Sequence, residues 1–397
     1  MLLGIPVEFI LFGSTLGAVA AYHTHALQSA VAGLVAILTW KLAVSGFKTG
    51  PGLAGLAAHA AHEWVILANL LLLLLSFALL ARHVEASGLP AAMPEILPDD
   101  WKGGFALLCV IFLMSAVLDN IAAALIGGTI AQRVFKGRVH LGYVAAIVAA
   151  SNAGGSGSVL GDTTTTMMWI AGVSPWAVID AYIAAVTALV VFGIPAALQQ
   201  HKFQPIAKDA IEGARVDRVR LGVVAIILLA AIGANVAANL YAPALLDHFP
   251  VIGFAVAAAT LATAPLRQPD WHTLPEAVRG AAFLLALVAA ASLMPVEKLP
   301  APSWPATLGL GFLSAVFDNI PLTALALKQG GYDWGMLAYA VGFGGSMLWF
   351  GSSAGVAISG LFPEARSASA WLKAGWHVPI AYVVGFVVLL GVLGWHP

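Results

Sequence analysis

Charge is scarce in this sequence: only 9% of its 397 residues are Asp, Glu, Lys or Arg, and the 18 basic and 19 acidic side chains nearly cancel. A chain so poor in charge excludes an ordinary water-soluble domain; its net charge near minus one argues nothing about nucleic acid, and no nucleic-acid partner is expected. Cysteine is almost absent. Cys109 stands alone inside an apolar run, so an intrachain disulfide and a thiolate metal cluster are both excluded. No glycine-rich phosphate loop precedes a lysine, which removes a nucleotide-driven pump. What is abundant is hydrophobic: 60% of the residues, in long unbroken runs with a positive mean hydropathy. Runs near the ~20 residues needed to cross a bilayer recur along the chain and exclude a transmembrane barrel. The expectation is an all-α polytopic integral membrane protein, with the first apolar run from Ile5 retained as a helix.

Crossings are expected at 5–22, 26–46, 62–81, 141–170, 174–198, 219–241, 248–265, 278–295, 334–361 and 372–395, giving about ten transmembrane helices. Basic residues cluster in loops 132–140 (Arg133, Lys136, Arg138) and 199–220 (Lys202, Lys208, Arg215, Arg218, Arg220). The positive-inside rule puts both loops in the cytoplasm and both chain termini outside. Trp101, Trp304, Trp376 and Trp395 read as interfacial anchors, and His59, His62 and Glu63 as the polar opening of the third crossing.

Polar residues interrupt the apolar pattern four times. "SAVLDNIAAAL" at 115–125 carries Asp119 and Asn120, and "SAVFDNIPLTAL" at 314–325 repeats the order with Asp318 and Asn319. Read as re-entrant hairpins (103–131 and 304–328), these two segments leave every Lys and Arg cytoplasmic except Lys41, Lys48, Lys298 and Lys328. An odd number of crossings then separates them, so they enter from opposite faces, the plan of inverted repeats. Each is followed by a second interruption, "SNAGGSGSVLGDTTTTMMW" at 151–169 and "GFGGSMLWFGSSAGVAISG" at 342–360. Gly154, Gly155, Gly157 and Gly161, mixed with hydroxyls, favour unwound backbone, which membrane depth tolerates only where it is buried in protein or lines a wet cavity. The domains expected are N-terminal helices 1–60, a first repeat 61–198 with its broken helix at 141–170, a linker 199–218, and a second repeat 219–397 with its broken helix at 334–361.

The ligand inventory is oxygen: Asp119, Asp162 and Asp318, with Asn120, Ser151, Asn152, Thr163, Thr164, Asn319, Ser352, Ser353 and unwound backbone. Such a set suits a hard cation, and without clustered His or Cys it does not suit zinc or copper. A carboxylate in the bilayer interior costs at least ~2.5–3.5 kcal/mol, so each must be paired, protonated or cation-bound. One aspartate that holds either a proton or a metal ion is the elementary part of an exchanger. Asp162 also reads as the N-cap of a helix resuming at Thr163, a role compatible with ligation. No histidine lies within the polar breaks to activate their serines, so covalent enzyme chemistry is not expected.

At "SAVLDNIA", "SNAGGSGSVLGDTTTTMMW" and "SAVFDNIP" the sequence resembles the ion transporter superfamily, above all NhaD-type sodium/proton antiporters and the related arsenite and citrate permeases. The resemblance implies inverted repeats with two re-entrant hairpins, a transport domain that moves in an elevator-like way, and a homodimer in a bacterial inner membrane. It matches Asp119, Asn120, Asp318 and Asn319 to hairpin tips, and Asn152, Gly154, Gly155, Asp162, Thr163 and Thr164 to the broken helix. The second half departs from acidic chemistry, with Ser352 and Ser353 where the first has Asp162. The leading expectation is sodium/proton antiport, with sodium and protons as the only ions needed and no further cofactor. Sodium-coupled uptake of a carboxylate such as citrate is the alternative, followed by oxyanion export. Small residues at 154–158 and 351–355 favour the carboxylate by leaving room, and the absence of a site arginine opposes it.

Overall fold

The computed structural model describes residues 5–22, 25–89, 97–207, 216–246 and 248–397. Their regular structure is helical, with no strand among them and a lone bridge between Phe47 and Gly50. In chain order the helices are α1 (Val7–Ala21), α2 (Ala26–Trp40), α3 (Gly52–Ala86), α4 (Trp101–Ser115), α5 (Asn120–Val134), α6 (Leu141–Ser156), α7 (Thr163–Ile170), α8 (Ala181–Phe203) and α9 (Arg218–Tyr241). They continue with α10 (Val251–Thr263), α11 (Leu274–Ser292), α12 (Trp304–Ser314), α13 (Asn319–Gln329), α14 (Trp334–Gly344), α15 (Ser353–Leu361), α16 (Ala368–Ala374) and α17 (His377–Leu393). Of the expected linker, residues 208–215 lie outside the described set, as do residues 1–4 of the N-terminal helices.

Among the described residues, five helical stretches are long and apolar enough to cross a membrane: Ala26–Ser45, Gly52–Ala86, Pro175–Phe203, Arg218–Ala238 and Trp271–Ser292. The pair α16 and α17, bent by 64°, makes a sixth if it is one broken span. The third crossing, expected from residue 62, begins instead at Gly52. Its first turns hold Gly55 but are otherwise rich in Ala and Leu, strong helix formers, and the helix runs through the polar trio. His59, His62 and Glu63 consequently sit well inside α3, where His59 Nε2 lies 3.0 Å from the Ser292 hydroxyl.

The chain divides into two compact units, each drawn from both halves of the sequence. Unit 1 comprises residues 1–80, 222–301 and 320–330. Within it α2 packs against α1 and α11, and the Asn69 side chain of α3 accepts from the backbone N–H of Gly253 at the start of α10, at 2.9 Å. Unit 2 comprises residues 81–221, 302–319 and 331–397. Its centre is made of α6 and α14, whose residues Gly142–Ser156 and Gly335–Gly344 are buried without exception. A helix apolar on every face belongs in a core, and here α4, α5 and α8 cover α6 while α12 and α17 cover α14. Tyr339, Phe343 and Tyr382 stack in that core with ring centres 5.4–6.3 Å apart.

Two backbone devices in unit 2 shape the site. After Ser115 the chain breaks over residues 116–119 and α5 turns back along α4: a Cβ added at Gly127 would fall within 2.6 Å of the Ile111 side chain, which a straight continuation would carry far away. Each core helix then ends in mid-course, α6 at Ser156 and α14 at Gly344, and helix resumes at Thr163 and Ser353.

Candidate functional site

The two broken helices are built by one set of contacts used twice. Ser115 donates its hydroxyl to the Ser151 carbonyl at 2.5 Å, and Ser314 donates to the Val341 carbonyl at 2.7 Å. A Cβ at Gly154 would overlap the Phe112 carbonyl, and one at Gly344 the Gly311 carbonyl. Across each break, Gly155 faces the Gly161 carbonyl and Gly345 the Gly351 carbonyl, both at 2.6 Å from where a Cβ would stand. These glycines are occupied by neighbouring backbone and do not open a cavity. The room inferred from small residues at 154–158 and 351–355 is therefore filled, by main chain at Gly154, Gly155, Gly351 and Gly355 and by the Tyr182 ring at Gly157.

The resuming helices are capped as their sequences dictate. Asp162 adopts extended backbone and its Oδ1 accepts the Thr164 N–H at 2.9 Å. Ser352, in the matching position, accepts the Gly355 N–H at 3.3 Å. Asp119 caps α5 through the Ile121 N–H at 3.3 Å. Each arrangement satisfies helix-end donors that would otherwise be orphaned away from water.

Around these caps runs a buried ring of amides and hydroxyls. Asn152, fully buried on α6, donates from Nδ2 to the hydroxyls of Ser346 (2.9 Å) and Ser352 (3.0 Å). Its Oδ1 accepts from Asn120 Nδ2 at 3.0 Å, and the same Asn120 amide reaches Asp162 Oδ2 at 3.4 Å. Asp162 is 1% exposed, with no Lys or Arg paired to it among the described residues. Asp318 accepts the Ser353 hydroxyl at 3.2 Å. No three acidic, His or Cys side chains among the described residues gather in metal-holding geometry. The structure thus brings together Asn120, Asn152, Asp162, Thr164 and Ser352, places Asp318 beside Ser353, and leaves Asp119 on the start of its own helix. Ser151, Gly154, Gly155 and Thr163 are buried supports, and Asn319 is buried at the start of α13.

Sequence reasoning passed over Ser346 and Gly342. Both lie in the quoted second break, and the signal was the constant offset between the two breaks: Ser346 falls where the first half has Ser156, and Gly342 where it has Asn152. The contacts exchange accordingly. Position 152 faces Ser346 and Ser352, while Gly342 faces Ser156 and Asp162.

No protein-family profile matches the chain. Among curated proteins it is 27% identical over 333 residues to sodium/proton antiporter 1 of Arabidopsis thaliana, an alignment covering 71% of this chain and 54% of that protein. It is 28% identical over 318 residues to the Na(+)/H(+) antiporter NhaD of Alkalimonas amylolytica (66% and 62%), and 27% identical over 312 residues to NhaD of Vibrio parahaemolyticus (66% and 72%). The chain thus spans little more than half the length of the plant protein and less than two thirds of the Alkalimonas one. With its apolar helices and these relatives, the chain is an integral membrane protein similar to sodium/proton antiporters, NhaD-type proteins among them.

Proposed function

We propose that the protein is a secondary sodium/proton antiporter. The observation that carries this reading is Asp162, a carboxylate buried at a helix break, ringed by neutral oxygens and amides and paired with no basic group among the described residues. A carboxylate so placed needs a proton or a cation, and the two compete for it. The broken helices contribute both kinds of end, N-termini at Thr163 and Ser353 and carbonyl-bearing C-termini at Ser156 and Gly344. Such discontinuous helices suit a cation site near the membrane midplane.

In this reading α4–α5 and α12–α13 are re-entrant hairpins of inverted repeats, about ten segments cross an inner membrane, and Asp119 and Asp318 assist Asp162. Sodium and protons alternate at the site as it opens to one face and then the other. An elevator-type movement and a homodimer rest on the resemblance alone. The cytoplasmic assignment of the basic loops gains support from their mutual bonding: Gln200 donates to the Arg138 carbonyl at 3.1 Å, Ala207 N–H to the Val134 carbonyl at 2.9 Å, and the Arg138 guanidinium lies 5.4 Å from the Phe203 ring centre. Two basic loops tied together lie on one face.

The test uses the purified protein in liposomes loaded with a pH-sensitive dye. Sodium or lithium should drive proton movement that potassium and citrate do not, and Asp119→Asn and Asp318→Asn should weaken it. Proton movement that appears only when a carboxylate accompanies sodium would replace antiport with anion symport.

A further inference from the structure

The chain leaves unit 1 within α3, after Leu80, and re-enters it within α9, after Leu221. On the unit 2 side of these passages the end of α3 is stitched to the start of α9. The Asp217 N–H donates to the Ser87 carbonyl at 2.7 Å, and Asp217 Oδ1 caps α9 by accepting the N–H groups of Val219 (3.0 Å) and Arg220 (3.2 Å). One turn away along each helix, the Arg220 guanidinium meets His83 Nδ1 at 3.2 Å. Arginine only donates, so Nδ1 is the acceptor and the ring is neutral, with its proton on Nε2. That Nε2–H is buried and meets no acceptor, in a residue 1% exposed. A buried donor without an acceptor is costly, so the stitch is held against an opposing term. The charged groups around His83 are Arg220 itself, Asp217 with Oδ2 3.7 Å from Arg220 Nε, and the exposed Arg82–Glu85 pair on α3. No carboxylate hydrogen-bonds to the ring among the described residues.

Protonation would place an N–H on Nδ1, against the guanidinium, and a second positive charge beside the first. A charged His83 and the present contact therefore exclude each other. We propose that His83 and Arg220 form a pH-sensitive stitch between α3 and the linker end of α9. At neutral and higher pH the imidazole holds Arg220; as the pH falls, its protonation releases Arg220, loosens the Asp217–Ser87 contact and slows exchange. The sign follows from the tautomer: the contact stabilises the fold above the pH at which the folded imidazole titrates, and that contribution is lost below it. The loosening of the stitch stands on the contacts alone. Its effect on exchange rests on the antiport reading, and its placement on the cytoplasmic face rests on the basic loop to which Arg220 belongs.

The test compares the wild type with His83→Asn and Arg220→Met as purified full-length proteins, from about pH 8 to about pH 5. Asparagine keeps an acceptor where Nδ1 stands and cannot be protonated there, whereas methionine removes the guanidinium and keeps an apolar stem. The first readout is hydrogen–deuterium exchange of the Asp217 amide in detergent, corrected for the intrinsic effect of pH. Wild-type protection should fall by roughly tenfold across that range, the equivalent of ~1.4 kcal/mol. In His83→Asn it should stay high throughout, and in Arg220→Met low throughout. The second readout is sodium-driven proton movement in liposomes as the pH on the face carrying the basic loops is lowered, which should slow the wild type more than His83→Asn. Wild-type protection that does not change with pH, or a His83→Asn profile that follows the wild type in either readout, would overturn the proposal. If the amide readout behaves as expected while no protein shows sodium-driven proton movement at any pH, the antiport reading fails and the stitch stands.

Discussion

The broken helices α6–α7 and α14–α15 share their engineering and differ in their chemistry. Both begin on a capped, fully buried core helix and receive a serine hydroxyl on a mid-helix carbonyl. Both then pass a glycine against a neighbouring carbonyl and resume on an extended capping residue. The cap is Asp162 in the first and Ser352 in the second, and ten residues before each cap stands Asn152 or Gly342. The comparison teaches that the two breaks share what close backbone approach requires and differ in the polar groups they present. Glycines and hydroxyls that let chains approach are duplicated, whereas the carboxylate is single at that position.

Exchanging the acidic cap for its amide separates these roles most sharply. Asp162→Asn should bring sodium-driven proton movement to background, because the amide can neither take up a proton nor neutralise a cation. Asparagine still caps a helix well, so the thermal midpoint should hold. Ser352→Ala is the control in the other half: loss of a cap and of an Asn152 acceptor should cost about 0.5–2 kcal/mol of stability with exchange retained. Comparable loss of exchange in both variants would end the claim that the halves differ in chemistry. Next in size are Gly154→Ala and Gly344→Ala, each of which drives a methyl into a carbonyl. Both should lower stability by about 1–3 kcal/mol or more, and by similar amounts, seen as lower melting temperatures in detergent. A harmless Gly344→Ala beside a damaging Gly154→Ala would show that the second break is the looser one.

Asn152 tests the link within the ring. Asn152→Ala leaves Asn120 without its shorter contact and takes a donor from each of two buried serine hydroxyls, of which Ser352 keeps the Gly355 N–H, at about 1–3 kcal/mol for an unsatisfied buried group. Asn152→Asp keeps the shape but places a second carboxylate in the ring, and should weaken exchange more than Asn152→Ala weakens it. The reverse order would mean that Asn152 acts through packing alone.

Much of this site was legible in the sequence because membrane burial makes polar residues conspicuous. Asp119, Asp162 and Asp318 could not be read as solvated surface in runs so apolar, and the repeated Ser-Ala-Val-X-Asp-Asn-Ile order announced the duplication. Capping by Asp162 was legible because an Asp before four threonines is a strong helix start. The purpose of the glycines was not. Small residues signal either space or close approach, and only the neighbouring carbonyls of Phe112, Gly161 and Gly311 decide for close approach. The start of α3 was misjudged because polarity at His59, His62 and Glu63 was taken for a boundary, although helix propensity runs on through it. Division of the chain into compact units that mix both halves left no local trace, since it depends on contacts between residues far apart in sequence.

The smallest expected effect concerns the second Asp-Asn segment. Ser353 donates to Asp318 Oδ2 at 3.2 Å, and both residues are partly exposed, so water can replace the hydroxyl at modest cost. Ser353→Ala should therefore change stability by no more than about 0.5–1.5 kcal/mol and leave the maximal exchange rate near that of the wild type. Asp162, buried and without such relief, has no replacement available when its own surroundings are altered. If Ser353→Ala instead abolished exchange as Asp162→Asn is expected to, Asp318 would carry the ion jointly with Asp162. The serine-capped half would then be an equal partner in the chemistry.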